Sequence, residues 1–244
     1  MKVLKQSKQK IYVWRNMHLN LSRIIIFLLL FISCIALFAI GSYLFATVGL
    51  ILIPLIYLLG IVAYKKYAAW FRGDEGENAV IEALKPLPDS YHMINSVVPT
   101  GSRGDVDHII IGPNGIFVVE TKNYSGKISC IGDDWKRQKT GKGGTDYDIE
   151  IGSPSNQVKR NSKILKDLLL KNKREIFKRY SPHIWVHAIV VFTNPSCELM
   201  VRNKTVEVLK LGELYEFIKN KSSEDIFSGG ELERMKSVIL KEWK

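Results

Sequence analysis

Two apolar stretches open the chain, and shorter patterned segments follow. Residues 24–40 (IIIFLLLFISCIALFAI) and 43–64 (YLFATVGLILIPLIYLLGIVAY) contain no charged side chain. The second run, 22 residues long, extends roughly 33 Å as a helix, enough to cross a bilayer core. The first reaches about 20 residues when extended back to Leu21, which also suffices. Only Gly41-Ser42 separates them, so the pattern predicts a transmembrane helical hairpin over 21–40 and 43–64. Pro54 sits in the second run, where a bilayer helix tolerates it. A signal peptide competes for the first run. Against it, the apolar region is too long and the second apolar run follows at once. A single re-entrant element is the other competitor.

Beyond residue 64 the periods shorten. EGENAVIEAL (75–84) sets Ala79, Val80, Ala83 and Leu84 on one side of a short helix. Residues 91–98 predict a first strand. Residues 105–111 and 116–121 predict two more around Gly112-Pro113-Asn114-Gly115, a turn signal. A strand and turn follow at 126–137, then a Gly-rich charged loop at 138–153. A helix is expected over 155–179, with Val158, Ile164, Leu165, Leu168 and Leu169 inward. Strands are expected at 184–192 and 206–209, and helices at 212–220 and 231–242. The fold class is α/β: a central mixed sheet flanked by helices, preceded by the two-helix hairpin.

Charge refines this division. The formal net charge is +11. Residues 1–64 hold six basic side chains (Lys2, Lys5, Lys8, Lys10, Arg15, Arg23) and no acidic one. Removing those six from the 35 Lys and Arg leaves 29 against 24 Asp and Glu in 65–244, a mild bias. Lys65, Lys66 and Arg72 follow the second run, and the turn between the runs has no charge. The positive-inside rule therefore puts both termini in the cytoplasm. The expected divisions are a basic cytosolic N-terminus (1–20), the hairpin (21–64) and a cytosolic domain (65–244, core about 73–193), all at the cell (inner) membrane. Cys34, Cys130 and Cys197 form no CxxC pair, which argues against a zinc ribbon or disulfide framework and for a reducing compartment.

The turn at 112–115 focuses the chemistry. With Pro113-Asn114 as a two-residue loop, facing residues have numbers summing to 227. Asp107 then faces Glu120, and Asp105 faces Lys122. Opposed side chains share a face, as do alternate residues along a strand. A type I turn with a Gly115 bulge would instead slip the register by one. Two adjacent carboxylates repel, and a hard cation such as Mg²⁺ relieves them while retaining waters and substrate phosphate. A neighbouring lysine suits metal-assisted phosphodiester hydrolysis by orienting water or stabilising phosphate charge. The bland alternative is a structural ion pair at a strand end.

Asp on one strand with Glu-x-Lys on the next resembles the PD-(D/E)xK nuclease core, whose sheet is restriction-endonuclease-like. More closely, GDEGENAVIEAL, GDVDHIIIGPNGIFVVETKNYSGKI, Trp135 and SPSNQVKRNSKIL resemble the nuclease-related domain family over roughly residues 73–166. The resemblance implies that Asp107 and Glu120 hold Mg²⁺ or Mn²⁺ with the Thr121 carbonyl. It makes Lys122 the catalytic lysine, Glu77 an outer acidic residue, and Gln157 a positioning group at the mouth of the long helix. Four residues beyond Gln157 stands Asn161, where related nucleases often carry Tyr.

Other residues read more plainly. His108 points to the opposite strand face from Asp107, and Trp135 serves packing. No P-loop pattern occurs at Gly141–Gly144, so no nucleoside triphosphate site is expected. Lys136, Arg137, Lys159, Arg160 and Lys163 are candidate contacts to a nucleic-acid backbone, with a solvated charged face as the alternative. The expected protein is a membrane-anchored Mg²⁺/Mn²⁺-dependent nuclease whose partners are nucleic acid, DNA before RNA, and the lipid bilayer. The competing function is a non-catalytic nucleic-acid or protein-binding module on the same anchor.

Overall fold

The computed structural model describes every residue except 7, 40–42, 103, 142, 179–182, 223–225 and 244; of residues 4–12 and 37–51 it describes the backbone alone. The chain divides into two compact units: Lys10–Asp74, and Met1–Gln9 together with Glu75–Lys244.

Two helices form the smaller unit and run past its limits, α1 (Lys8–Ala39) and α2 (Tyr43–Leu84). Val13–Ala36 and Leu52–Leu84 are each long and apolar enough to cross a membrane. Leu28, Leu29, Ile32, Leu55 and Leu58 are exposed, an aliphatic surface of a kind that water penalises. Gly60 of α2 faces Phe27 of α1. The expected turn at Gly41-Ser42 lies outside the described residues. The short helix expected at 75–84 is not separate. No proline interrupts 65–84, so α2 continues unbroken and the second apolar run and Glu77 share one element.

The larger unit has a mixed sheet between helical layers. Its strands are β1 (Lys2–Gln6), β2 (His92–Val97), β3 (Val106–Gly112), β4 (Gly115–Lys122), β8 (Val186–Phe192) and β10 (Glu207–Lys210), in the order β1-β2-β3-β4-β8-β10. Strands β2 to β4 form an antiparallel meander, while β4–β8, β8–β10 and β1–β2 are parallel. Strand alternation gives the sheet two apolar faces. Ile109, Ile111, Ile116 and Val118 pack with Val158, Leu165 and Leu169 of α3 (Pro154–Lys171) and Met235 and Ile239 of α6 (Gly229–Glu242). Ile110, Phe117, Val119 and Val191 pack with Val80 and Leu84 of α2 and with Leu214 and Ile218 of α5 (Leu211–Asn220).

Two further expectations need correction, and one strand was not expected. The loop expected at 138–153 holds strand structure: β6 (Asp134–Thr140) pairs with β5 (Gly126–Ile131) and with β7 (Asp146–Glu150). A strand at β9 (Cys197–Arg202) escaped the sequence reading; it pairs parallel with β5 and completes a second sheet, β7-β6-β5-β9. The helix expected over 155–179 ends at Lys171, and a single turn, α4 (Lys173–Ile176), follows Asn172.

The hairpin at the centre adopts the two-residue loop. Gly112 pairs with Gly115 and His108 with Val119, so the slipped register is not used. Gly112 is required sterically, because a Cβ there would stand 2.3 Å from the Tyr91 ring. The Tyr91 hydroxyl donates to Asn114 Oδ1 at 2.8 Å, and Asn114 Nδ2 donates to the Ile218 and Lys221 carbonyls at 2.7 and 3.0 Å. One asparagine thus ties the turn to the end of α5.

Candidate active site

The site forms where β3 leaves its hydrogen-bonded ladder. Continuing the β3–β4 register by one residue sets Asp107 opposite Glu120; continuing the β2–β3 register sets it opposite Ser96. By alternation Asp107, Glu120 and Lys122 lie on the face covered by α3. His108 lies on the other face, buried, with Nδ1 2.8 Å from Asn95 Oδ1.

The three side chains are tightly linked. Asp107 Oδ2 accepts the Thr121 N–H at 2.7 Å, which fixes its carboxylate against β4. Lys122 Nζ donates to Glu120 Oε1 at 2.5 Å and to Gln157 Oε1 at 3.3 Å. Glu120 is 2% exposed, and among the described residues its Oε2 has no hydrogen-bond partner. Burial, then the charge of Asp105, pushes Asp107 up to about 6. Burial, then the charge of Asp107, pushes Glu120 up to about 8. Burial disfavours the charged Lys122, but Glu120 and Asp107 outweigh it and leave its pKa raised.

Gln157 reaches the site because α3 starts where it does. Ser153 caps the helix by accepting the Asn156 N–H at 3.2 Å, and Pro154 occupies the first turn. Trp135 secures that turn: it is buried, its Nε1 donates to Ser155 Oγ at 3.0 Å, and its ring stacks on Phe192. Asn161 is also buried, and its Nδ2 donates to the Asp105 carbonyl at 3.0 Å. This asparagine anchors the backbone leading into Asp107.

Glu77 approaches through another residue. Its Oε2 accepts the Ser96 hydroxyl at 3.0 Å, and Ser96 faces Asp107 across the strands. Ser96 has φ 50°, a left-handed conformation uncommon for serine. Nothing in HMINSV signals this, because the backbone strain arises only in the sheet. Gly76 brings α2 close enough: a Cβ there would lie 3.0 Å from Thr193 Oγ1, 3.1 Å from Asn123 Cβ and 3.3 Å from Thr121 Cγ2.

The basic candidates separate. Lys159 is engaged by Asp133 at 2.7 Å, and Lys163 by Asp167 at 2.7 Å. Arg137 donates to the Ser125 carbonyl at 3.0 Å and lies over the Tyr124 ring, just beyond Lys122. Arg160 lies beside Gly104 at the approach to Asp107, and Lys136 is exposed on β6.

Residues 72–193 match the nuclease-related domain family. The chain belongs to that family. Its nuclease-related domain contains the whole Asp107–Glu120–Lys122–Gln157 cluster, together with Glu77 and Ser96. An uncharacterized protein of Bacillus anthracis is 42% identical over 83 residues, which are 32% of this chain and 39% of that protein. The match thus spans about two fifths of the relative's length. No solved structure matches the chain.

Among the described residues no group of three or more His, Cys, Asp or Glu side chains gathers as a cage. Two buried carboxylates remain, one with a bare oxygen. That set suits Mg²⁺ or Mn²⁺, which need only one or two carboxylates and take other ligands from water and substrate phosphate.

Proposed function

We propose that this protein is a membrane-anchored, metal-dependent nuclease of PD-(D/E)xK type that hydrolyses nucleic-acid phosphodiester bonds, DNA more readily than RNA. The observation that carries the reading is the unpartnered Glu120 Oε2, buried beside Asp107 and Lys122. A buried carboxylate oxygen without a partner is costly, and its persistence suits a site completed by a ligand. Asp107, Glu120 and the Thr121 carbonyl would hold Mg²⁺ or Mn²⁺, which when bound supplies Lewis-acid polarisation and charge neutralisation at the scissile phosphate.

The chain's own groups do the rest. Lys122 has three ammonium donors and uses two, on Glu120 and Gln157. The third is available to orient an attacking water or to bind a non-bridging phosphate oxygen. Gln157 fixes the Lys122 side chain, so the ammonium is positioned before substrate arrives. Glu77 acts through Ser96 on the strand facing Asp107, as a positioning residue. The apolar face formed by α1 and α2 would place the domain at the bilayer, with both termini in the cytoplasm.

The test uses the full-length chain in detergent, with plasmid, single-stranded DNA and RNA in Mg²⁺, Mn²⁺ or EDTA. Cleavage should require the cation and fall about 100-fold or more in Asp107→Asn and Lys122→Met. The cation should also raise the wild-type Tm, by an amount equivalent to about 2.7 kcal/mol at 100 times Kd. It should raise that of Glu120→Gln far less. Stabilisation without cleavage of any substrate would favour the non-catalytic module. Neither effect would remove the metal site altogether.

A further inference from the structure

A second feature of the larger unit is a polar cleft of about 500 Å³ lined by Lys159, Ser162, Trp185, His187, Lys204 and Lys221 among others. It lies between α3, the start of β8 and the segment entering β10. Its most telling residue is Ser162, 7% exposed, whose Oγ has no hydrogen-bond partner among the described residues. Trp185, by contrast, is 59% exposed, and Lys166 Nζ lies 5.5 Å from its ring centre. An indole left largely in solvent, with Lys166 and the stacked His183 ring beside it, forfeits apolar burial. Asp133 and Glu207 pair with Lys159 and Lys204, but Lys166 and Lys221 add cationic charge beyond those pairs.

The fold connects this cleft with the cluster around Lys122. Ser162 lies five residues beyond Gln157 on α3, about 7.5 Å along the helix axis. Trp185 lies seven residues before Phe192, the β8 residue beside Lys122, or about 23 Å along the strand. That span matches a single strand of a few nucleotides.

We infer that this cleft binds single-stranded nucleic acid, one base stacking on Trp185 and the adjoining phosphates reaching Ser162 Oγ and the lysines. The inference rests on the nuclease reading and adds to it a single-stranded substrate class. Stacking on an exposed indole tolerates any base, because every base has a π-face. A duplex keeps its bases stacked inside and gains only the lysine contacts.

Binding is measured separately from cleavage, with the full-length chain in detergent, EDTA present, and a fluorescein-labelled 20-nucleotide single strand read by anisotropy. Trp185→Ala should weaken the single strand about 10-fold or more, with Trp185→Phe restoring most of the loss and Tm unchanged. Duplex binding should move little. Lys204→Ala and Lys221→Ala should each lower the slope of log K against log salt by about 0.7. Equal single-strand affinity for wild type and Trp185→Ala would overturn the inference, as would displacement by polyglutamate as effective as by unlabelled oligonucleotide. Cation-dependent plasmid cleavage that persisted in either case would leave the nuclease reading standing.

Discussion

Glu120 and Gly76 show how single residues set this site. Glu120 is the residue on which the proposed chemistry turns: it is held buried with one oxygen engaged by Lys122 and the other, among the described residues, bare. Gly76 works by absence. Alanine there would gain about 1 kcal/mol of helix propensity, yet its Cβ would press Thr193, Asn123 and Thr121 at 3.0 to 3.3 Å. Overpacking of this kind costs about 1–3 kcal/mol. Gly76→Ala should therefore change Tm little or lower it modestly, while cleavage falls at least about 10-fold as the end of β4 shifts. Undiminished cleavage would show that α2 does not brace the site. His187 offers a pH test. It stacks on Phe117, and burial, then Lys221, lowers its pKa. The folded state therefore resists its protonation, so its contribution is present above the unfolded value of about 6.5 and is lost as pH falls. Relative to wild type, His187→Phe should gain Tm steadily between pH 7 and pH 5. A difference independent of pH would refute the assignment.

At the scale of elements, the hairpin and α3 meet through a few polar contacts. Ser153 fixes where α3 begins, and hence where Gln157 meets Lys122. Ser153→Ala should cost about 1 kcal/mol and lower kcat through a loosened Gln157, with added glutamine side-chain loss in Gln157→Ala giving no further large drop. Additive losses in the double variant would separate the cap from the site. The β3–β4 hairpin was legible in the sequence because Pro113-Asn114 between apolar runs is local turn chemistry. Strand β9 was not. CELMVR alternates between inner and outer positions, but its partner β5 lies about 70 residues earlier in the chain, and no local signal reports such a pairing. Strand β7, DYDIE, is mostly exposed, so it lacked the apolar alternation that marks a half-buried strand.

For the molecule as a whole, the apolar face of α1 and α2 is the decisive feature. Its exposed leucines and isoleucines should keep the full-length chain in the membrane pellet after carbonate extraction; release into the supernatant would refute the anchor. The sequence alone determined the two apolar runs, the central turn between two strands, and the candidate triplet Asp107, Glu120 and Lys122; the structure then chose the two-residue loop over the slipped register. Each follows from a local rule: span length, turn chemistry, or the alternation of side chains along a strand. The tertiary structure alone decided that Ser96 mediates between Glu77 and the strand facing Asp107, and that Asn161 anchors the Asp105 backbone. It also decided that Lys159 and Lys163 are held by carboxylates, while Trp185 stays exposed beside a cleft. These depend on contacts between distant segments, and an amino-acid pattern encodes such contacts only through the packing that brings those segments together.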